Sequence, residues 1–228
     1  MSTISQKFYR FTIIHDTLLP NSYTLEVIMH YLYLIFAYLI GSIPTGVWYS
    51  RYKHRVDVRE LGSGNSGATN VGRNFGIKAA VFVTLIDIFK GTLVVLLAKH
   101  FFPNEPYIIM GSAIAAVLGH AYPLYANFKG GKVVATSFGV TAGFSLPIAF
   151  FGALFLFLLI YLTSTISLSA MVSFTATALY IYFTQASIYG YGFLLIALFL
   201  MYRHRANIQR LMQGNESHIG FGLRSSKK

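Results

Sequence analysis

Five side chains that can hydrogen-bond or neutralise an anion crowd into eleven residues of this chain: Ser63, Asn65, Thr69, Asn70 and Arg73, within the stretch SGNSGATNVGR. A second polar stretch, Gly119–Thr136, reads GHAYPLYANFKGGKVVAT and contains Lys129, Gly130, Gly131 and Lys132 in a row. Glycines such as Gly67 let backbone N–H groups approach an anion closely, and Arg73, Lys129 and Lys132 supply opposing charge. Both stretches interrupt apolar runs. That combination suits a phosphate group held at a membrane surface. If a helix begins at Val133, its free N–H groups and dipole add to the same preference.

Two tempting motifs fail on context. Gly62–Gly67 fits GxGxxG, which demands a preceding strand, a following helix and an acidic residue about 20 positions further on. Asp87 has the spacing but lies inside an apolar segment, so the dinucleotide reading is a decoy. Lys129–Lys132 lacks the GxxxxGK[ST] spacing of a nucleotide triphosphatase. Blander readings stand beside the chemical ones. The first loop can be a connector, and the lysines can be anchors at a span end. Asp87 and Lys90, three apart on one helical face, suit either a structural ion pair or a functional pair. His120 suits either packing or chemistry. Arg203, His204, Arg205 and Asn207 follow the last apolar segment, where arginines also hold helix ends. His15, His30, His54, His100 and His218 show no partner.

What is missing narrows the chemistry. Cysteine is absent, which removes disulfides and thiolate nucleophiles. Only 7 carboxylates occur, none paired for a metal or for glycosidase-like acid–base work. There is no His-x4-Asp motif and no GxSxG elbow. No metal and no cofactor is expected, and catalysis would proceed by positioning anions without a covalent intermediate.

These residues need elements to hold them, and composition says which. The chain has 228 residues, of which 55% are hydrophobic and only 11% charged, with a mean hydropathy of +0.57. A soluble domain would carry about a quarter charged residues, so the class is an all-α, polytopic membrane protein. Seven spans are expected, near 31–50, 78–99, 106–123, 133–147, 148–163, 168–185 and 188–203. The Ser145–Pro147 cut is the least marked, and five or six spans are alternatives. Gly139 and Gly143 have the spacing that brings two helices close. The net charge of +11 sits at span ends, which points to anionic lipid headgroups and small anions, not nucleic acid.

Fourteen of the 18 basic residues fall in three segments that seven spans place on one side. Arg51, Lys53, Arg55, Arg59, Arg73 and Lys78 lie in the first, Lys129 and Lys132 in the second. Arg203, Arg205, Arg210, Arg224, Lys227 and Lys228 make up the third. The positive-inside bias makes that side cytoplasmic and leaves the N-terminus outside. Residues 1–28 fit poorly, carrying Lys7 and Arg10 on the outer side without a compact signal-like core. They are read as an extension, with translation starting at Met29 as the hypothesis. Residues 29–222 form one membrane domain, and 223–228 a basic tail.

Five stretches then carry a resemblance. Gly41–Gly46 (GSIPTG), Gly62–Arg73, Asp87–Gly91 (DIFKG), Gly119–Thr136 and His204–Glu216 occur in the order found in bacterial membrane glycerol-3-phosphate acyltransferases that use acyl phosphate. The chain resembles that family from Met29 to about Gly222. The resemblance implies acyl transfer to the 1-hydroxyl of glycerol 3-phosphate, giving lysophosphatidic acid and phosphate, the first step of phospholipid synthesis. It implies seven helices in a bacterial inner membrane, a cytoplasmic site, and an upstream acyl-phosphate-forming enzyme as partner. Ser63, Arg73, His204 and Asn207 would serve catalysis. Asn65, Gly67, Thr69, Asn70, Lys90, His120, Lys129, Gly130, Gly131, Lys132, Thr136 and Ser167 would surround the substrates, and Glu216 would hold the tail.

Two departures matter. The family's loop reads Lys-Gly-Gly-Lys-Gly, but the fifth residue here is Val133, expected to stiffen or shrink the phosphate pocket. Ser164 stands where an arginine often precedes the Ser167-Leu168 pair, removing one cation. A transporter of a phosphorylated solute is the competing reading, disfavoured because polar clusters gather at one face and not at the midplane. An inactive relative is a third.

Overall fold

The computed structural model describes residues 22–224. Among the described residues it is entirely helical, with no strand. The helices are α1 (Ser22–Gly41), α2 (Thr45–His54), α3 (Ala68–Phe75), α4 (Ile77–Phe101) and α5 (Pro106–Ala121). They are followed by α6 (Val134–Phe144), α7 (Leu146–Thr163), α8 (Ile166–Thr184), α9 (Ser187–Arg203) and α10 (Arg205–Met212). Residues 1–21 and 225–228, including His15, Lys7 and Arg10, lie outside the described residues. Met29 sits within α1, which runs unbroken from Ser22.

The first expected span needs correction. Residues 31–50 are not one helix: α1 starts earlier and stops at Gly41, and α2 begins after a break at Ser42–Pro44. Pro44 has no N–H to continue the ladder, and its ring disfavours helical backbone at the residue before it. The break frees the Ile43 carbonyl, which accepts from Lys90 Nζ at 2.9 Å. Among the described residues, five segments are long and apolar enough to cross a membrane: Thr24–His54, Ile77–Phe101, Pro106–Ala126, Leu146–Thr163 and Ile166–Thr184. The remaining two expected spans are apolar helices of 11 and 17 residues, α6 and α9. The cut at Ser145 is present, with extended backbone between α6 and α7 and Pro147 in the first turn of α7.

Helix α4 is the hub, packed against α1, α2, α3, α5 and most extensively α6. Small residues allow this. A Cβ on Gly139 would collide with the Ile88 carbonyl, and one on Gly143 with the Thr92 carbonyl and Val95. Thr92 Oγ1 donates to the Gly139 carbonyl at 2.9 Å across the same contact. This is the close backbone approach that small residues four apart provide. Phe174, Ile181, Phe193, Ile196 and Leu200 fill the main core, and Val47, Val58, Val71, Ala79 and Val83 a smaller one near α2–α4. Outward faces are apolar: α7 buries only Ala149 and Gly152, while Phe150, Phe151, Leu154 and Phe157 are exposed. Such a face is stable against lipid and unfavourable against water.

Beyond α10 the chain turns back along the end of α7. Ile219 N–H donates to the Ser164 carbonyl, and Leu223 N–H to the Tyr161 carbonyl, both at 2.8 Å. Ser164 itself caps α7 in the left-handed region at φ 55°.

Candidate active site

The first polar loop is braced from within. Asn70, buried in the first turn of α3, donates through Nδ2 to the Val58, Leu61 and Asn65 carbonyls at 2.9, 3.0 and 2.9 Å. Its Oδ1 accepts from the Ser63 N–H at 3.0 Å. One side chain thus satisfies four backbone groups of the loop, and Ser63 beside it stays exposed. Asn65 Oδ1 accepts from the Gly67 N–H, closing the turn that leads into α3.

Arg59 joins this loop to the second one. It grips Asp57 at 2.7 Å and donates to the Ala126 carbonyl at 2.7 Å. The Arg59 hydrogen bonds hold the Asp57 carboxyl down at about 2, so the pair stays ionised throughout the working range. From the far side, Arg203 donates to the Gly131 carbonyl at 3.0 Å and to the Gly130 carbonyl at 3.3 Å, and stacks over Tyr122. With their carbonyls turned toward Arg203, the two glycines have little room elsewhere. A Cβ at Gly131 would strike the His120 ring, and one at Gly130 the His120 carbonyl.

Beneath that loop, inside the bundle, lies a closed polar cluster. Asp87 Oδ1 is 2.8 Å from Lys90 Nζ and accepts from Thr45 Oγ1 at 2.9 Å. Lys90 Nζ also lies 2.9 Å from His120 Nδ1. An ammonium can only donate, so His120 Nδ1 accepts and its proton sits on Nε2. Asp87 and Lys90 thus form a buried ion pair, with His120 as its third member. Each buried charge is paired and hydrogen-bonded, as burial requires.

A third network descends from the tail. Lys132 Nζ donates to Asn207 Oδ1, Asn207 Nδ2 to Glu216 Oε1, and Ser167 Oγ to the same oxygen at 2.8 Å. Arg210 Nε completes it, 2.7 Å from Glu216 Oε2. Burial works to raise the Glu216 carboxyl, but the bonds from Asn207, Ser167 and Arg210 outweigh it and hold it low. Burial, with Arg210, Arg73 and Arg203 as neighbours, brings Lys132 down to about 8 despite Glu216. His204 is buried, and burial pushes it to about 4, against the raising effect of its Leu200 hydrogen bond. His204 Nδ1 donates to that carbonyl at 2.9 Å, so the neutral ring keeps an acceptor at Nε2.

These three stretches meet at one cavity of about 350 Å³. Ser63, Gly64 and Asn65 form one wall, Phe128, Lys129, Gly130 and Lys132 the second, Arg203, Ala206 and Arg210 the third. Four cations and no carboxylate line it. Of the residues expected from sequence, Ser63, Asn65, Lys129, Gly130 and Lys132 line this space. Gly131, Asn207, Glu216, Ser167 and His204 stand behind its walls, and Asn70 and Gly67 shape the first loop. Arg73 and Thr69 are exposed on α3, Arg73 close enough to bear on Lys132. Lys90 and His120 belong to the cluster below, and Thr136 is fully buried in the first turn of α6 without a hydroxyl partner.

Sequence reading missed Arg59, Phe128 and Arg210, and left Arg203 as a helix anchor. The signal available was spacing: 203, 207 and 210 repeat at a helical period beyond the last apolar run. It also found no partners for two histidines that have them. His54 stacks on Phe75 at 4.1 Å, and His218 Nδ1 lies 2.9 Å from Thr165 Oγ1. Both partners are distant in sequence, where periodicity cannot see them.

Val133 completes the picture of the second loop. It is fully buried, yet its φ is 63°, left-handed backbone that costs an L-residue roughly 1–2 kcal/mol. Replacing it by glycine removes that strain but also the packed isopropyl group. The clean comparison is Val133→Gly against Val133→Ala. Glycine is ordinarily the less stable by roughly 0.5–1 kcal/mol. Here Val133→Gly is expected to melt higher than Val133→Ala in detergent and to keep activity. The usual order would mean the left-handed turn is not held.

The chain has close relatives. The family model described as glycerol-3-phosphate acyltransferase matches residues 31–214. A protein named glycerol-3-phosphate acyltransferase from Streptococcus equi subsp. zooepidemicus is 40% identical over 213 residues, covering 86% of this chain and 95% of the relative. One of the same name from Enterococcus faecalis is 41% identical over 204 residues, covering 85% and 94%. The crystal structure of PlsY (YgiH), an integral membrane glycerol 3-phosphate acyltransferase, in its glycerol 3-phosphate form matches with a TM-score of 0.81 at 36% identity. That match covers 84% of this chain and 96% of PlsY. The lysophosphatidic acid form matches with a TM-score of 0.78 at 34% identity, over the same shares.

Proposed function

The chain belongs to the glycerol-3-phosphate acyltransferase family, and from that premise we propose that it moves a fatty acyl chain from acyl phosphate to the 1-hydroxyl of glycerol 3-phosphate. It is a multi-pass integral membrane enzyme of phospholipid synthesis. The observation that carries the reaction is the 350 Å³ cavity walled by three separate stretches, two of which supply its four cations. Two phosphate-bearing substrates need that density of positive charge, and a soluble cofactor does not.

The donor is a mixed anhydride, activated before it arrives. The acceptor oxygen forms a bond to the acyl carbon, and the bond from that carbon to the phosphate oxygen breaks, its electron pair leaving with phosphate. Lys132, Arg203 and Arg210 hold phosphate oxygens, while Ser63 and Arg73 face the charge that develops on the acyl oxygen. Holding both reactants together in a water-poor, pre-charged pocket supplies most of the acceleration. The hydroxyl proton goes to a substrate phosphate. Its second pKa is about 6, which makes it a stronger base than His204 at about 4. His204 instead fixes the end of α9 and orients the turn into α10.

The acyl tail lies among the apolar helices, and both phosphates stay at the basic end. That end is cytoplasmic in a bacterial inner membrane, a reading supported by the bias of basic residues toward the three segments on that side in the sequence. The N-terminus is then outside, with seven crossings including the short α6 and α9. Residues 29–222 are the catalytic unit, flanked by an extension and a basic tail. An acyl-phosphate-forming enzyme supplies the donor.

Purified protein mixed with long-chain acyl phosphate and glycerol 3-phosphate should release inorganic phosphate, and acyl thioester should not substitute. No release with acyl phosphate would end this reading. The pH profile is a sharper check. Lys132 carries its charge below about pH 8 and loses it above. The kcat/KM for glycerol 3-phosphate is therefore expected to rise as the phosphate loses its second proton near pH 6, stay level to about pH 8, then fall by up to about tenfold per unit. Lys132→Arg should move that fall to higher pH, and an unmoved profile would assign it to another group.

A further inference from the structure

At the other end of the bundle, α1 and the α4–α5 connection enclose a second cavity of about 650 Å³. Three of its lining groups can bind metal: Glu26 and His30, one turn apart on α1, and Glu105, which precedes α5. One ligand atom from each lies within 4.8 Å of the others. His30 Nε2 is shut off from solvent and has no hydrogen-bond partner. It nevertheless faces Glu105 Oε1 at 3.7 Å, too far for a hydrogen bond. The gap is close to the roughly 3.4 Å between two ligands that each sit about 2.1 Å from a tetrahedral zinc ion. Phe102 packs its ring edge-on to the imidazole and fixes its direction. Two carboxylates beside an apolar wall repel one another, and a cation between them removes that cost.

We propose that Glu26, His30 and Glu105 form a site for one divalent ion of the zinc class, with water in the fourth position. Three protein ligands plus an open position is a common zinc arrangement. The imidazole nitrogen favours zinc over magnesium or calcium, which prefer all-oxygen shells. The bound ion ties the start of α1 to the α4–α5 turn. The site stands apart from the anion cavity and does not depend on the reaction assigned there.

The test uses tag-free, chelator-stripped protein in detergent, titrated with zinc chloride by calorimetry and counted by mass spectrometry after gel filtration. One zinc per chain is expected, with magnesium chloride giving none. Glu105→Gln should weaken binding at least tenfold, His30→Ala should abolish it, and His100→Ala should leave it intact. Zinc should raise the melting temperature of the parent but not of His30→Ala, and acyl transfer should be unchanged in all three variants. Absent zinc, or zinc retained equally by His30→Ala, would leave His30 and Glu105 a plain ion pair and overturn the site. Loss of zinc in His100→Ala would overturn it too, by moving the ion elsewhere.

Discussion

Arg73→Ala is expected to remove turnover while leaving the melting temperature of the protein where it was. Arg73 sits in the last turn of α3, exposed, and forms no hydrogen bond or ion pair among the described residues. The neighbouring cations are already engaged: Arg59 with Asp57, Arg210 with Glu216, Lys132 with Asn207, and Arg203 with the glycine carbonyls. A guanidinium that contributes nothing to the fold, yet acts electrostatically on Lys132, is free to turn toward developing charge. Removing one such donor typically lowers kcat by about 10²–10³, or roughly 3–4 kcal/mol of barrier. Arg73→Lys should recover only part, because an ammonium lacks the planar fork that holds two oxygens at once. Kinetics and thermal unfolding on the same preparation decide it. A kcat within threefold of the parent would remove Arg73 from the reaction.

What the sequence made legible was chemistry type and placement, because both follow from local composition. The polar density of residues 63–73 and the Lys129–Lys132 run sit where hydropathy breaks, and the structure brings both to one cavity. The Gly139 and Gly143 spacing likewise marked a face for close helix approach, though not that α4 would supply the partner. Roles that depend on long-range neighbours stayed hidden. An asparagine in a polar loop reads equally as a ligand or a brace. Only tertiary structure shows Asn70 spent on four backbone groups. Lys90 and His120 read as candidates because intramembrane charges often are, yet each is occupied by the other and by Asp87. The break at Ser42–Pro44 was visible as a proline, but the apolar run on either side masked it. Nothing in the sequence discloses that Val133 occupies left-handed backbone, since a β-branched residue is the last expected there.

Glu216→Ala should damage both turnover and stability from outside the cavity lining, and it should act through position, not contact. Its carboxylate accepts from Asn207, Ser167 and Arg210, and Asn207 in turn holds Lys132. Without the carboxylate, three donors lose their acceptor at once, two of them buried, which costs about 3 kcal/mol or more. Asn207 then has no reason to keep its Oδ1 toward Lys132, and Arg210 loses its anchor at the cavity wall. Turnover is expected to fall at least a hundredfold and the melting temperature by several degrees. Glu216→Gln separates geometry from charge. It keeps an oxygen for Asn207 and Ser167 but turns an NH2 toward Arg210 Nε, donor against donor, so the Asn207 and Ser167 bonds and only part of the stability should return. Lys132, no longer near a carboxylate that raises its pKa, should lose its proton at lower pH in that variant. The alkaline fall in kcat/KM should therefore begin below pH 8. An unchanged profile in an active Glu216→Gln enzyme would show that the chain from Glu216 through Asn207 to Lys132 carries no electrostatic message to the site.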